Sequence, residues 1–160
     1  MKNLTLIRHG KSGYELGLSD KQRTLNERGI EQSTMIAEKY VEHLSQNYQI
    51  ISSAATRAKM TAEIFAKVFK FPVNEIQFSD DLYTFDGHEL TSIIKSTDDN
   101  VTNLLIFGHN DAITYFVNKF GNINIDNVPT AGLVSIDFDT DNWSKIIKGK
   151  TIHTLFPSKQ

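Results

Sequence analysis

Two histidines and two arginines stand beside short apolar runs, where strands are expected to end. Arg8 and His9 follow the first run, His109 follows a later one, and Arg57 comes shortly after a third. Two guanidinium groups offer planar forks of N–H donors that match phosphate oxygens. A neutral histidine can attack phosphorus through one ring nitrogen while a hydrogen bond holds the other, and a second histidine can donate to the oxygens as charge develops. If the fold brings them together, these residue types predict a site for phosphoryl transfer.

The elements that must position these residues alternate along the chain. Apolar runs predict strands near residues 4–8, 48–53, 76–78, 103–107 and 133–138, with two edge strands at 143–147 and 151–156. Helical spacing predicts a helix that starts at Asn26, which is a candidate N-cap, and further helices from about Thr56 and over 89–95 and 112–120. This alternation predicts an α/β fold, a three-layer α/β/α sandwich with a mostly parallel central sheet. Ligands of such sheets bind outside the carboxyl ends of the strands, which is where the four basic residues fall.

A polar stretch over residues 11–26 separates the first strand from the first helix. A loop of this length is usually either functional or disordered, and this one begins directly beside His9. Gly10 follows His9, and we expect the missing side chain to let the backbone pass close to a bound phosphate.

Length and composition set the outer bounds. The chain has 160 residues, 39% of them hydrophobic and 22% charged, which predicts one domain over residues 1–160. A formal net charge of −2 predicts no general attraction to nucleic acid. The absence of cysteine excludes disulfides, thiolate metal sites and cysteine nucleophiles. No apolar stretch is long enough for a membrane span or a signal peptide, so we expect a soluble cytoplasmic protein, most simply a monomer.

Each basic residue also has a plainer interpretation. A single histidine after a strand is more often structural, and a lone Arg57 would usually be a solvated residue in the first turn of a helix. Only their shared placement at strand ends changes the balance. Spacing alone therefore predicts an anion site and leaves open whether it is catalytic.

The segment Leu6-Ile7-Arg8-His9-Gly10 resembles the signature of the histidine phosphatase superfamily, which includes the cofactor-dependent phosphoglycerate mutases. The closer resemblance is to its short bacterial branch, the SixA-type phosphohistidine phosphatases. Five blocks carry that resemblance in order and span nearly the whole chain, namely residues 8–12, 18–29, 53–62, 108–110 and 129–132. The resemblance implies a phosphoglycerate mutase-like fold.

The resemblance also implies roles for individual residues. His9 would accept the phosphoryl group and form a phosphohistidine intermediate. Arg8 and Arg57 would bind that group, and His109 would complete the pocket. Arg23, in the first loop, would contact the substrate or its phosphate.

Two further residues, Ser12 and Asn110, adjoin the matching blocks. We include them as candidate phosphate-binding residues, although hydrogen bonding within their loops explains them at least as well.

One position departs from the superfamily pattern. Many members carry a glutamate after the third strand as general acid for the leaving group, and Thr84 stands at the corresponding position. The side chains of Asp81, Asp86, His88 and Glu89 lie close in sequence, but a solvated loop or helix N-terminus explains them better. Without an acid, a good leaving group is required. An N-phosphorylated imidazole is one, whereas a sugar alkoxide is not.

Three functions remain open. The first is a metal-independent phosphatase without cofactor that acts on phosphohistidine in a protein substrate. The second is a small-molecule phosphomonoesterase of the same fold, which predicts a carboxylic acid near the leaving group and a pocket lined by loop 11–26. The third is a module that binds phosphate or a phosphoprotein without turnover.

Overall fold

A computed structural model describes residues 1–158 of the protein. Its fold has a central sheet of six strands. The strand order is β3-β2-β4-β1-β5-β6. Neighbours from β3 to β1 run parallel, and β5 is antiparallel to both β1 and β6. The sheet is therefore mostly parallel, as predicted. Its strands are β1 (Lys2–Arg8), β2 (Gln49–Ser53), β3 (Gln77–Ser79), β4 (Asn103–Gly108), β5 (Leu133–Phe138) and β6 (Lys150–Leu155).

Helices cover both faces of the sheet. They are α1 (Glu27–Tyr40), α2 (Thr56–Phe69), α3 (Gly87–Lys95) and α4 (Ala112–Phe120). Two apolar clusters result, one under α3 and α4 and the other under α1 and α2. Strand β1 contributes to both, since Leu4 and Leu6 belong to the first and Ile7 to the second. This confirms the predicted three-layer α/β/α architecture.

Local signals place the helices close to their predicted positions. Asn26 caps α1, because its Oδ1 accepts from Gly29 N at 2.8 Å. Helix α3 begins two residues before its predicted start at Glu89, because the Asp86 side chain caps it by accepting from His88 N at 2.7 Å.

The predicted edge strand over residues 143–147 is wrong. Trp143–Lys145 form a 3-10 turn, and the Trp143 side chain is fully buried. The indole Nε1 donates to Val101 O at 2.8 Å, so the large ring belongs to the core and its one polar atom is satisfied there. The other predicted edge strand is confirmed as β6, which pairs with β5.

The long first loop is anchored at its base. Ser12 and Leu25 form a bridge, and Gly13 N donates to Thr24 O at 3.0 Å. Between these points lies a 3-10 turn, Asp20–Gln22. The loop therefore projects from β1 and α1 as a structured excursion beside the carboxyl end of the sheet.

Among residues 1–158, none of the helices combines the length and apolar character that crossing a membrane requires.

Candidate active site

Two histidines meet at the carboxyl ends of β1 and β4. The strands are parallel neighbours with Arg8 opposite Gly108, and His9 N donates to Gly108 O at 3.1 Å. The ring centroids of His9 and His109 are 5.2 Å apart. Strand β2 lies on the other side of β4 and leads into α2, which brings Arg57 to the same place. The structure thus brings together the four residues that the strand ends predicted.

His9 is held as a neutral imidazole that keeps a lone pair on one ring nitrogen. Its Nδ1 lies 2.6 Å from Gly10 O, so Nδ1 carries the proton and donates to that carbonyl. Nε2 then has the lone pair, and it accepts from Arg57 Nε at 3.3 Å. Burial, followed by the charges of Arg57 and Arg8, lowers the pKa of His9 to about 4, although the Gly10 carbonyl opposes this. A neutral ring is the form that can act as a nucleophile.

His109 is also neutral, and a serine sets its tautomer. Its Nε2 lies 2.8 Å from Ser53 Oγ, which already accepts from Ala55 N at 3.1 Å. The Ser53 hydroxyl proton has no other partner among the described residues, so it donates to Nε2 and leaves the ring proton on Nδ1. Burial first, then the neighbouring His9 and Arg57, lowers the pKa of His109 to about 3. The His109 ring is therefore a neutral hydrogen-bond donor.

Two buried donors of the site residues, Arg8 Nε and His109 Nδ1, lack a partner within residues 1–158. The Arg8 side chain is otherwise fixed, because its Nη1 donates to Val128 O at 3.0 Å. Unpaired buried donors are uncommon because each forfeits a hydrogen bond to water. Such donors suit a ligand that has acceptors only, as a phosphoryl group does.

The first loop contributes Arg23 and Ser12 to the same cleft. Arg23 Nη1 donates to Ser12 Oγ at 2.5 Å, and its guanidinium lies 4.4 Å from the centre of the Tyr14 ring. The cleft has a volume of about 400 Å³. Its lining includes Arg8, His9, Lys11, Ser12, Tyr14, Asp20, Arg23, Asn26, Arg57, Phe85, Asn110 and Thr130.

Asn110 lines the cleft, but its side chain is fully used in hydrogen bonds to α4 and to the segment that follows α4. Its Nδ2 donates to Asn127 Oδ1 at 2.9 Å and to Val128 O at 3.1 Å. Its Oδ1 accepts from Thr114 N at 3.0 Å and from Thr114 Oγ1 at 2.9 Å. These bonds favour the structural explanation of Asn110, which lies just before the start of α4.

Gly10 packs closely against helix α1. A Cβ at Gly10 would lie 2.7 Å from Ser33 Oγ and 2.9 Å from Gly29 O. The missing side chain therefore lets the loop that carries His9 pack against the first turns of α1. The close approach of a phosphate to this glycine stays a prediction.

The loop directly before β5 also supports His9, through the backbone of Ala131. Ala131 has φ 62°, a conformation that side chains other than glycine's rarely adopt. Its N–H lies 3.0 Å from both Arg8 O and His9 O. This strained residue therefore fixes the carbonyl groups on which the His9 position depends.

Sequence reasoning missed two residues, Asp20 and Tyr83. The Asp20 carboxylate accepts from Arg57 Nη2 at 3.1 Å, from Arg23 Nε at 3.2 Å, and from the Tyr83 hydroxyl. The hydrogen bond from Tyr83 first, and then those from Arg57 and Arg23, lower the pKa of Asp20 to about 2. A signal for Asp20 existed, since an acid three residues before Arg23 can reach it within one turn.

The position of the expected general acid holds no acid. Thr84 is buried, and its hydroxyl donates to Glu89 Oε1 at 3.1 Å, away from the cleft lining. Asp20 is the one carboxylate among the cleft-lining residues of the described chain, and it is ionised at neutral pH. Over the same residues, histidines and carboxylates do not gather in a group of three that could hold a metal ion.

An α/β sheet that presents neutral histidines and several arginines at its carboxyl edge defines a class of protein, one built around an oxyanion site suited to phosphoryl groups. The sequence profile of the histidine phosphatase superfamily (branch 1) matches residues 4–83. The chain belongs to this superfamily.

Solved structures share the fold. The putative phosphohistidine phosphatase SixA from Agrobacterium tumefaciens superposes with a TM-score of 0.82 at 23% identity, covering 98% of each chain. A protein histidine phosphatase SixA complexed with tungstate gives a TM-score of 0.79 at 18% identity, covering 96% of each chain. An uncharacterized protein of Mycobacterium tuberculosis strain H37Rv is 27% identical over 134 residues, which are 84% of this chain and 82% of that protein. The phosphoglycerate mutase-like α/β fold is thus confirmed.

Proposed function

We propose that this protein is a metal-independent phosphatase that acts through a phosphohistidine intermediate on His9 and removes phosphate from phosphohistidine in a protein substrate. The observation that carries the proposal is the pair of unpartnered buried donors, Arg8 Nε and His109 Nδ1, beside a neutral His9. Superfamily membership and the shared SixA fold support the same chemistry.

In the first step, the lone pair of His9 Nε2 attacks phosphorus, and the bond from phosphorus to the substrate's imidazole nitrogen breaks. The leaving ring, protonated on its other nitrogen, takes the electron pair of that bond and departs as a neutral imidazole. Arg57 Nε points at His9 Nε2 in the free protein and transfers its hydrogen bond to a phosphoryl oxygen. Arg8 and His109 donate to the other oxygens, and this fixed set of donors stabilises the transferring group.

In the second step, water attacks phosphorus and the bond to His9 Nε2 breaks. Both protons of the water leave with the inorganic phosphate as dihydrogen phosphate, and the ring returns to its neutral form. Throughout, Nδ1 keeps its proton and donates a hydrogen bond to the Gly10 carbonyl oxygen. That carbonyl stabilises the positive charge on the ring while the intermediate exists.

The leaving group follows from the ionisation of the cleft. Asp20 has a pKa of about 2 and lines the cleft as a carboxylate, so it has no proton to donate at neutral pH. An alkoxide would depart slowly without a proton, whereas an imidazole departs readily. This supports phosphohistidine, or another activated phosphate, over a sugar phosphate.

Exposed aromatic side chains at the rim support a protein substrate. Tyr14 is 85% exposed and Phe85 is 51% exposed, and both line the cleft. Exposed aromatic groups of this kind are enriched where proteins meet. They offer a macromolecule contact area beside the phosphate pocket.

The proposal is tested by turnover of a phosphohistidine-bearing protein, p-nitrophenyl phosphate and a panel of sugar phosphates, each with and without EDTA. We expect the phosphohistidine protein to be preferred and EDTA to have no effect. His9→Ala should abolish turnover, while His88→Ala, an exposed histidine outside the cleft, should not. Loss of activity in EDTA contradicts the metal-free mechanism, and full activity in His9→Ala contradicts the nucleophile. No turnover of any substrate favours a binding module.

A small-molecule phosphomonoesterase is the second candidate. One observation favours it, because loop 11–26 supplies about half of the residues that line the cleft. This candidate also requires a protonated carboxylic acid near the leaving group, and Asp20 does not meet that requirement because it is ionised. A sugar phosphate turned over faster than the phosphohistidine protein would decide for it.

A further inference from the structure

Asp20 is an ionised carboxylate in a cleft whose lining also includes Arg8, Arg23 and Arg57. Its side chain is about half exposed, and three groups converge on it. Oδ1 takes the Arg23 guanidinium, with Nε at 3.2 Å and Nη2 at 3.1 Å. Oδ2 takes Arg57 Nη2 at 3.1 Å and the Tyr83 hydroxyl. Each oxygen therefore serves a different arginine.

Asp20 binds the two terminal nitrogens of the Arg57 guanidinium, Nη1 and Nη2, and leaves the Nε side to His9. Arg57 Nη1 donates to the Asp20 backbone carbonyl at 2.6 Å, and Nη2 donates to the side chain. Two bonds to one residue fix the plane of the guanidinium. The remaining edge, at Nε, is the edge that lies 3.3 Å from His9 Nε2.

We propose that Asp20 is a positioning residue, which aims the Nε edge of Arg57 at the point where the bond between His9 and phosphorus forms, with Tyr83 steadying the carboxylate. This inference rests on the proposed phosphatase function. Asp20 touches neither His9 nor the reacting atoms, so it acts through Arg57.

The negative charge of Asp20 should affect oxyanion binding and turnover in opposite directions. Arg8, Lys11, Arg23 and Arg57 contribute four positive charges to the cleft lining, and Asp20 reduces the total to three. Removal of the negative charge should strengthen binding of an oxyanion in the ground state. The same change should slow the reaction, because the Nε edge is no longer directed. Tighter binding with slower turnover is an outcome that simple damage to the fold does not produce.

Asp20→Asn is the informative variant because it keeps the size of the side chain. An amide has one acceptor oxygen, whereas Arg23 and Arg57 each occupy one oxygen of the carboxylate. The amide NH₂ must then face one of the guanidinium groups, so one arginine loses its partner. Tyr83→Phe removes the third contact and leaves both arginine bonds in place.

The experiment measures kcat and KM together with tungstate binding by calorimetry. Asp20→Asn should lower kcat by about 100-fold, the order expected for a misplaced catalytic group, while tungstate binds at least as tightly and with unchanged stoichiometry. Tyr83→Phe should lower kcat by less, and should add nothing in the Asp20→Asn background. Asp80→Asn is the matched control, because Asp80 pairs with Lys21 at 2.7 Å outside the cleft lining.

Wild-type kcat in Asp20→Asn overturns the inference. A second outcome also overturns it. If Asp20→Asn binds fewer tungstate ions per chain while kcat per binding site is unchanged, part of the protein is unfolded and Asp20 serves folding alone. Additive effects of the two substitutions overturn the role of Tyr83. Failure of the proposed function looks different, because the wild-type protein would then show no turnover while tungstate binding could still be compared between variants.

Discussion

Replacement of Ser53 by alanine should reduce turnover far more than it reduces stability. The Ser53 hydroxyl lies 2.8 Å from His109 Nε2, and its donation to that nitrogen keeps the ring proton on Nδ1. Without it, the proton can move to Nε2, and Nδ1 ceases to be a donor to the phosphoryl group. Loss of one preorganised donor costs about 100- to 1,000-fold in kcat, or about 2.7–4 kcal/mol.

The effect on stability is smaller. The substitution removes the hydrogen bonds of one hydroxyl, including the one from Ala55 N, and each contributes about 1 kcal/mol. For a chain of this size, 1 kcal/mol corresponds to a change in Tm of about 2–4 °C. The protein should therefore remain folded at assay temperature with kcat strongly reduced.

The neighbouring Ser52 provides a matched control. Both serines are fully buried, but the Ser52 hydroxyl donates to Ser53 O at 2.9 Å and, within the described residues, forms no hydrogen bond with His109. Ser52→Ala should show a similar change in Tm and nearly wild-type kcat. The assay combines steady-state kinetics with nitrogen NMR of the imidazole rings. Wild-type kcat in Ser53→Ala, with the His109 proton shown to have left Nδ1, would refute the reasoning.

Four further predictions follow from the same geometry. Arg57→Ala should lose about 2.7–4 kcal/mol of transition-state stabilisation, measured through kcat/KM; wild-type kinetics would count against the pocket. Because the pKa of His9 is lowered to about 4 and the neutral ring attacks, kcat/KM should rise with pH through about 4 and then stay level to neutrality. The pKa values of His9 and His109 in the folded protein lie below the ordinary 6.5, so between pH 6.5 and 4 the unfolded chain binds more protons than the folded one. Tm should therefore fall as the pH decreases from about 6.5 to 4. A Tm that rises on acidification would contradict this. For a series of phosphate esters, kcat/KM should decrease steeply with rising leaving-group pKa, because no protonated carboxylic acid lines the cleft within residues 1–158; a flat series would reveal one.

The convergence of His9, Arg57 and His109 was predictable because it depends on sheet topology. Parallel strands end at the same edge, and β1, β4 and β2 are adjacent in the sheet. The rule that ligands bind at this edge then needs no knowledge of side-chain contacts. For the same reason, the prediction did not extend to hydrogen-bond partners, such as the Ser53 hydroxyl that orients His109.

Asp20 and Tyr83 could not be predicted in this way. They are 63 positions apart in the chain and meet only because the first loop reaches the turn that follows β3. Loop paths depend on many weak contacts and leave no periodic pattern in the sequence. The predicted strand over residues 143–147 was wrong for a related reason. The apolar neighbours of Trp143 suit a strand, whereas the bulk of the indole and its hydrogen bond to Val101 O favour a buried turn.

Burial has two consequences at this site, and together they constrain the substrate. It keeps His9 neutral, which gives a nucleophile without a separate base. It also keeps His109 neutral at physiological pH, so that ring offers a hydrogen bond and no readily transferred acid proton. Asp20 is ionised by its donors, and the hydrogen bond to Asp20 raises the pKa of Tyr83. None of these four groups is poised to protonate a departing oxygen near neutral pH. The features that make His9 reactive therefore favour a substrate whose phosphate already sits on a good leaving group, as the proposed phosphohistidine does.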